Sequence, residues 1–132
     1  MKRTIKPKKK PISVSARKAK GRKLQQWACQ KISNLTGYEW GSSGDDKPIE
    51  SRPMGQKGVD VRMESQVQKV FPFSIECKWQ ESWSIPAWIN QAKENQKDGT
   101  DWLLICRRSR DKEIVVMDAE AFFSILQRIQ NQ

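Results

Sequence analysis

Three charged residues in the middle of the chain, Asp60, Glu76 and Lys78, have types and a spacing that could do chemistry. Residues two apart in a β-strand point to the same side, so Glu76 and Lys78 would emerge together from one sheet face. Two adjacent carboxylates repel each other unless a cation joins them, and Mg²⁺ is commonly held by one or two carboxylates and a phosphate. With Asp60 beside Glu76, the three side chains would suit metal-assisted hydrolysis of a phosphate ester, in which Lys78 orients water or neutralises charge.

Two predicted strands must position these residues. The first covers 59–63, where apolar and charged residues alternate as in a half-buried strand. The second covers 71–79, where the odd-numbered residues share an apolar face and leave Glu76 and Lys78 on the other. Asp60 meets Glu76 only if the two strands are neighbours. The alternative interpretation is a sheet face that simply exposes Glu and Lys to water.

The remaining pattern predicts one α/β body in which helices and strands alternate. Its elements are a helix over 16–37, a Gly-, Ser-, Asp- and Pro-rich loop over 40–58, a helix from Ser84 to Asp98-Gly99, strands over 102–106 and 113–117, and a last helix capped by Asp118. The residues expected to face the core from the first and last helices are Leu24, Trp27, Ala28, Ile32, Leu35, Phe122, Ile125, Leu126 and Ile129.

The positive charge of the chain is concentrated at one end. The 132 residues carry 25 Lys and Arg against 15 Asp and Glu, a net charge of +10, which favours a polyanionic partner. The composition of residues 1–15 predicts a disordered basic arm, and residues 16–132 are expected to form a single domain. The alternative interpretation of the arm is a solubilising leader. The bases expected to contact phosphates are Lys8, Lys9, Lys10, Arg17, Lys18, Arg22 and Lys23.

The residue inventory excludes several kinds of chemistry. Histidine is absent, which removes Ser-His and Cys-His catalysis and His-ligated zinc. Cys29, Cys77 and Cys106 are odd in number and form no CxxC pair, so neither a disulfide framework nor a zinc knuckle is indicated. No apolar run approaches the ~18 residues that span a bilayer, and no apolar signal segment follows the lysine-rich start. We therefore expect a soluble cytoplasmic protein with no membrane contact.

The segments GVDV, FPFSIECKWQES and WINQAK together resemble the PD-(D/E)XK nuclease superfamily, and the layout is most similar to its small Holliday-junction-resolvase-like members of archaea and phages. The resemblance implies a restriction-endonuclease-like α/β core, with a mixed central sheet of about four to five strands flanked by helices. It implies that Asp60, Glu76 and the backbone carbonyl of Cys77 bind Mg²⁺ or Mn²⁺, and that Lys78 completes the active site. It also implies a homodimer that cleaves branched DNA such as a four-way junction. If the protein is encoded by a phage, it would act in the host cytoplasm.

The sequence departs from the superfamily pattern in two places. Val59 stands where the superfamily name has proline, and Gln25 and Gln26 stand where resolvase-like members usually offer a helical glutamate. An amide brings no negative charge, so a second metal ion would be held less well. Glu50, which precedes Asp60, is the candidate to supply that charge.

Three polar residues are further candidates for nucleic-acid contact. Ser42 and Ser43 lie where resolvase-like relatives often place a phosphate-contacting serine, although turn chemistry explains them equally well. Gln91 matches a polar helix position near the active site, and it is also compatible with the wet side of an amphipathic helix.

The leading hypothesis is a Mg²⁺-dependent, structure-selective DNA endonuclease, specifically a Holliday junction resolvase. One alternative keeps the fold and the chemistry but acts on linear DNA, either generally or at a specific sequence. The other is a non-catalytic, basic nucleic-acid-binding protein whose strand carboxylates are surface residues.

Overall fold

The computed structural model describes residues 13–132, so the predicted contacts of Lys8, Lys9 and Lys10 lie outside the described residues. The elements in chain order are α1 (Val14–Thr36), β1 (Trp40–Ser42), β2 (Ile49–Ser51), β3 (Val61–Met63), α2 (Ser65–Val70), β4 (Phe73–Trp79), α3 (Ile85–Glu94), β5 (Asp101–Arg107), β6 (Ile114–Met117) and α4 (Ala119–Gln130). Within this range, no helix combines the length and the apolar character needed to cross a membrane.

The strands form two three-stranded mixed sheets in the described part of the chain. In the first sheet β1 pairs in parallel with β2, and β2 pairs antiparallel with β3. In the second sheet β4 pairs in parallel with β5, and β5 pairs antiparallel with β6. The α/β class is thus confirmed, whereas the single mixed sheet of four to five strands is replaced by two smaller sheets.

The helix α1 has a well-defined start and end. The hydroxyl of Ser13 accepts a hydrogen bond from the Ala16 amide (3.1 Å) and so caps the first turn. Gly37 ends the helix in the left-handed conformation (φ 82°), which glycine adopts without a Cβ penalty. Because the helix begins at Val14, residues 14 and 15 belong to it and not to the predicted arm.

The strand β4 lies at the centre of the molecule because helices cover both of its faces. On one face, Ile75 and Cys77 share a hydrophobic cluster with Leu24 of α1. On the other face α3 packs against β4 and β5, and Trp88 joins a second cluster with Leu104. The side of β4 that carries Glu76 is therefore covered by α3 and is not an open, solvated sheet face.

The region between α1 and β4 differs from the sequence-based expectation. The predicted loop over 40–58 contains β1 and β2, each only three residues long. Strands this short show no alternating pattern, and they form here because each pairs with a partner further along the chain. The structure also adds α2 before β4, and α3 ends at Glu94, four residues before Asp98.

The last helix begins as predicted, but its apolar face is not buried. The carboxylate of Asp118 caps α4, which confirms the predicted start. However, Phe122, Leu126 and Ile129 are 45%, 40% and 60% exposed, and Leu35 of α1 is 72% exposed. The prediction that these side chains face the core is wrong, because periodicity shows that a helix has an apolar face but not what covers that face.

Two leucines of α1 provide a test of this packing. Leu24 is fully buried and Leu35 is exposed, so Leu24→Ala should lower the free energy of unfolding by about 2–5 kcal/mol. The control variant Leu35→Ala should change it by less than about 0.5 kcal/mol. Urea unfolding followed by circular dichroism measures both values, and equal losses would contradict the placement of α1.

Candidate active site

Asp60 lies directly before β3 and is held against β4 by its backbone and its side chain. Its amide donates a hydrogen bond to the Ile75 carbonyl (3.0 Å), and its Oδ2 accepts one from the Cys77 amide (2.7 Å). These two bonds connect the first sheet to the central strand on either side of Glu76. The structure therefore brings Asp60 next to β4 at the level of Glu76, although Asp60 directly precedes a strand of the first sheet and Glu76 lies in the second.

Glu76 and Lys78 lie side by side on β4, as residues two apart in a strand must. Glu76 is only 3% exposed, and its Oε1 is 3.6 Å from Nζ of Lys78. Its Oε2 accepts a hydrogen bond from the side-chain amide of Asn95 (3.4 Å), just after α3. Lys78 and Asn95 thus orient the two oxygens of one buried carboxylate.

Burial disturbs the ionisation of both carboxylates, and the charge of Asp60 further disturbs that of Glu76. Loss of solvent, followed by the charge of Asp60, raises the pKa of Glu76 to about 7, against the opposing effect of Lys78. Burial also raises the pKa of Asp60, although the Cys77 amide and the charges of Lys78 and Arg52 favour its ionised form. A perturbed acidic pair beside a lysine in a cleft is typical of a functional site.

The cleft around these residues has a volume of about 680 Å³. One wall is the loop 54–57 and the other is the polar side of α3 with Asn95. The residues that line it are Met54, Gly55, Gln56, Lys57, Asp60, Glu76, Cys77, Lys78, Ala87, Asn90, Gln91, Glu94 and Asn95. Gln91 thus lies in the cleft with the three predicted catalytic residues. Asn95 was missed by the sequence analysis, although it follows Gln91 by four residues and shares its helix face.

The donor set fits a hard divalent cation. Asp60 and Glu76 offer two carboxylates whose mutual repulsion a cation would relieve, and Cys77 lies in the same cleft. Among residues 13–132 no group of three or more His, Cys, Asp and Glu side chains could hold a metal ion together. Mg²⁺ does not require such a group, because it is usually bound by one or two carboxylates with water and other oxygen atoms.

Three other predicted site residues are not brought to this cleft. Glu50 lies in β2, where Arg62 forms an ion pair with its Oε1 and the Gly44 amide donates to its Oε2 (3.3 Å). Ser42 and Ser43 lie where β1 enters its turn, and the Ser42 amide donates to Asp45. Glu50 therefore does not line the cleft, and its carboxylate is paired with Arg62; its role in holding a second metal stays a prediction.

The predicted basic residues of α1 divide into two groups. Arg17 and Lys18 line a second cavity that adjoins the cleft. Arg22 and Lys23 are exposed but line neither cavity. Gln25, which replaces the expected helical glutamate, is buried and accepts a hydrogen bond from the Ser51 hydroxyl (3.0 Å).

An α/β fold that holds one buried carboxylate against a strand, beside a second carboxylate and a lysine carried by that strand, is typical of the PD-(D/E)XK class of nucleases. Residues 16–132 match the family described as "Phage putative PDDEXK endonuclease", and the chain belongs to this family. Searches of curated proteins and of solved structures gave no match. The superfamily resemblance is thereby confirmed, and with it a nuclease that acts on DNA.

Glu76 should make stability depend on pH when divalent cations are removed. Its pKa is raised from the ordinary value of 4.5 to about 7 in the folded protein. The stability that its protonated form contributes is therefore fully present below pH 4.5 and is lost as the pH rises through about 7. Glu76→Gln cannot ionise, and its stability relative to the wild type should be greater at pH 8 than at pH 5, by about 2 kcal/mol after allowance for screening. Urea unfolding in EDTA measures this difference. The control is Glu94→Gln, an exposed carboxylate of the same cleft, which should show no comparable pH dependence.

Proposed function

We propose that this protein is a Mg²⁺- or Mn²⁺-dependent, structure-selective DNA endonuclease of the Holliday-junction-resolvase type. The observation that supports the proposal is the convergence of Asp60, Glu76 and Lys78 in one cleft. Asp60, Glu76 and the backbone carbonyl of Cys77 would hold the cation. When bound, the cation would lower the pKa of a water molecule and polarise the phosphate.

The residues of the chain then position and stabilise the reacting groups. Hydrolysis joins a water oxygen to phosphorus and breaks the bond to the leaving oxygen, and negative charge builds up on the phosphate oxygens. Lys78, partly buried beside Glu76, places a positive charge where it stabilises that build-up. Asn95 donates to Glu76 and fixes its orientation, which makes it a positioning residue.

A homodimer is part of the proposal, and we assign its interface to α4 and β6. The exposed apolar residues on these two elements are Ile114, Val115, Phe122, Phe123, Leu126 and Ile129. In the sheets described above, β6 pairs with β5 on one side and with no strand on the other. A second copy related by a two-fold axis would pair the same edge and cover the same apolar face, because such an interface uses one patch twice.

The proposed setting is the cytoplasm of the host cell. The three cysteines are buried and form no disulfide. Burial raises the pKa of the Cys29 thiol to about 12 and that of Cys106 to about 11, so both thiols stay protonated near neutral pH. Buried, protonated thiols are compatible with a reducing compartment.

Cleavage of a labelled four-way junction and of linear duplex with the same sequence tests the proposed activity. The wild type should cleave the junction in Mg²⁺ but not in EDTA, and it should cleave the linear duplex more slowly. Asp60→Asn, Glu76→Gln and Lys78→Met should each lower the rate about 10²–10³-fold, because each removes a charge that the reaction needs.

Asp98→Asn serves as the matched control, because this carboxylate is exposed in the turn after α3 and lies outside the cleft. It should cleave like the wild type. Equal cleavage of both substrates would favour a general nuclease over a resolvase. Binding with no cleavage in either Mg²⁺ or Mn²⁺ would leave the non-catalytic alternative.

The assignment of the dimer interface is tested by two charge substitutions. Phe123→Glu and Leu126→Glu should each convert a dimer into a folded monomer, because a buried carboxylate would be unpaired at the interface. Light scattering after size-exclusion chromatography measures the mass. Val70→Glu, at an exposed apolar residue of α2, should leave the dimer intact. A monomeric wild type would contradict the assignment.

A further inference from the structure

A second cavity of about 500 Å³ adjoins the active-site cleft and carries the opposite charge. Arg17, Lys18 and Lys20 of α1 line one side of it, and residues 79–82 line the other, with one carboxylate among them. The active-site cleft, in contrast, has three carboxylates and two lysines. Met54, Cys77 and Lys78 line both spaces, so the basic cavity lies directly beside the acidic cleft.

The turn between β5 and β6, residues 108–113, is fixed beside this basic cavity. The Ser109 amide donates to both oxygens of Glu81 (3.2 Å each). The Ser109 hydroxyl accepts hydrogen bonds from Nζ of Lys20 (3.0 Å) and from Nε1 of Trp79 (3.4 Å). Hydrogen bonds from α1, from β4 and from the segment after β4 therefore converge on one residue and hold the turn in place.

Of the four bases at this turn, Arg110 and Lys112 are not used in holding it together. Arg107 and Arg108 each form an ion pair with an acid of the same segment, at 3.1 and 3.3 Å. Arg110 and Lys112 are exposed. Arg110 also has a φ of 69°, a conformation that is uncommon for a side chain of its size. The turn thus presents two charged side chains to solvent from a tightly anchored backbone.

We propose that Arg110 and Lys112, together with Arg17 and Lys18, form a binding surface for the phosphate backbone of a duplex arm of the DNA substrate. This inference rests on the proposed endonuclease function. Three carboxylates against two lysines leave the metal-free cleft with no excess of positive charge to attract a polyanion, so the DNA needs a basic anchor beside the cleft. The basic cavity and the anchored turn provide that anchor, and Lys78 is the positive charge that they share with the catalytic carboxylates.

The double variant Arg110→Gln/Lys112→Gln tests the surface directly. Fluorescence anisotropy with a short labelled duplex in EDTA gives the Kd at a series of salt concentrations without cleavage. The slope of log Kd against log salt should fall by about 2, because each phosphate contact contributes about 0.9 to it. Thermal unfolding confirms that the variant is folded, and an unchanged slope would overturn the inference.

The matched control is Lys69→Gln/Lys97→Gln, which removes the same charge from the opposite end of β4. Lys69 lies in α2 before that strand, and the Lys97 amide donates to Ser74 near its start. The control slope should equal that of the wild type. Equal losses in both double variants would show an effect of net charge alone and would overturn the assignment of a local surface.

Cleavage assays separate this inference from the proposed function. If the wild type cleaves DNA but Arg110→Gln/Lys112→Gln keeps the wild-type slope, the binding surface is wrong and the nuclease stands. If the slope falls as expected but no cleavage occurs in Mg²⁺ or Mn²⁺, the surface stands as a DNA-binding surface and the nuclease proposal is wrong.

Discussion

The structure depends on the burial of two carboxylates beside each other. Removing Asp60 and Glu76 from water costs free energy, and their mutual repulsion adds to that cost, as the raised pKa values show. The Cys77 amide and Lys78 offset only part of it. A divalent cation would relieve the remainder, so the same arrangement that destabilises the metal-free fold would favour the binding of a metal ion.

This constraint explains the layers around β4. The face toward α1 is apolar and packs into the main hydrophobic cluster, which fixes the strand in position. The face toward α3 carries Glu76, whose Oε1 lies near Lys78 and whose Oε2 needs a polar partner from the side of α3. Accordingly, α3 packs through Trp88 and Ala92 against the second cluster and places Asn90 and Gln91 at the cleft. Helix α3 is amphipathic because one side packs against the second hydrophobic cluster and the other side lines the cleft.

The sequence could predict the elements whose patterns are local. The strand β4, the paired strands β5 and β6 and the cap at Asp118 follow from residues close to one another in the chain. The strands β1 and β2 could not be found this way, because each has only three residues and therefore shows no alternating pattern. The same limit applies to the site: the residue type of Glu50 suggested a ligand, but the sequence could not predict that Glu50 pairs with Arg62.

A nuclease must bring the phosphates of DNA to a group of carboxylates, and the charge distribution of this chain is compatible with the basic binding surface proposed above. Sequence counts assign the excess of positive charge to one end of the chain, but the fold adds a second basic region from the turn after β5. Ser109 connects that turn to α1, so residues far apart in sequence act as one basic region. In the proposed arrangement, a cation would bind in the acidic cleft and phosphates on the adjoining basic side. Lys78 lies at the boundary between them, where a phosphate held on the basic side would meet the carboxylates.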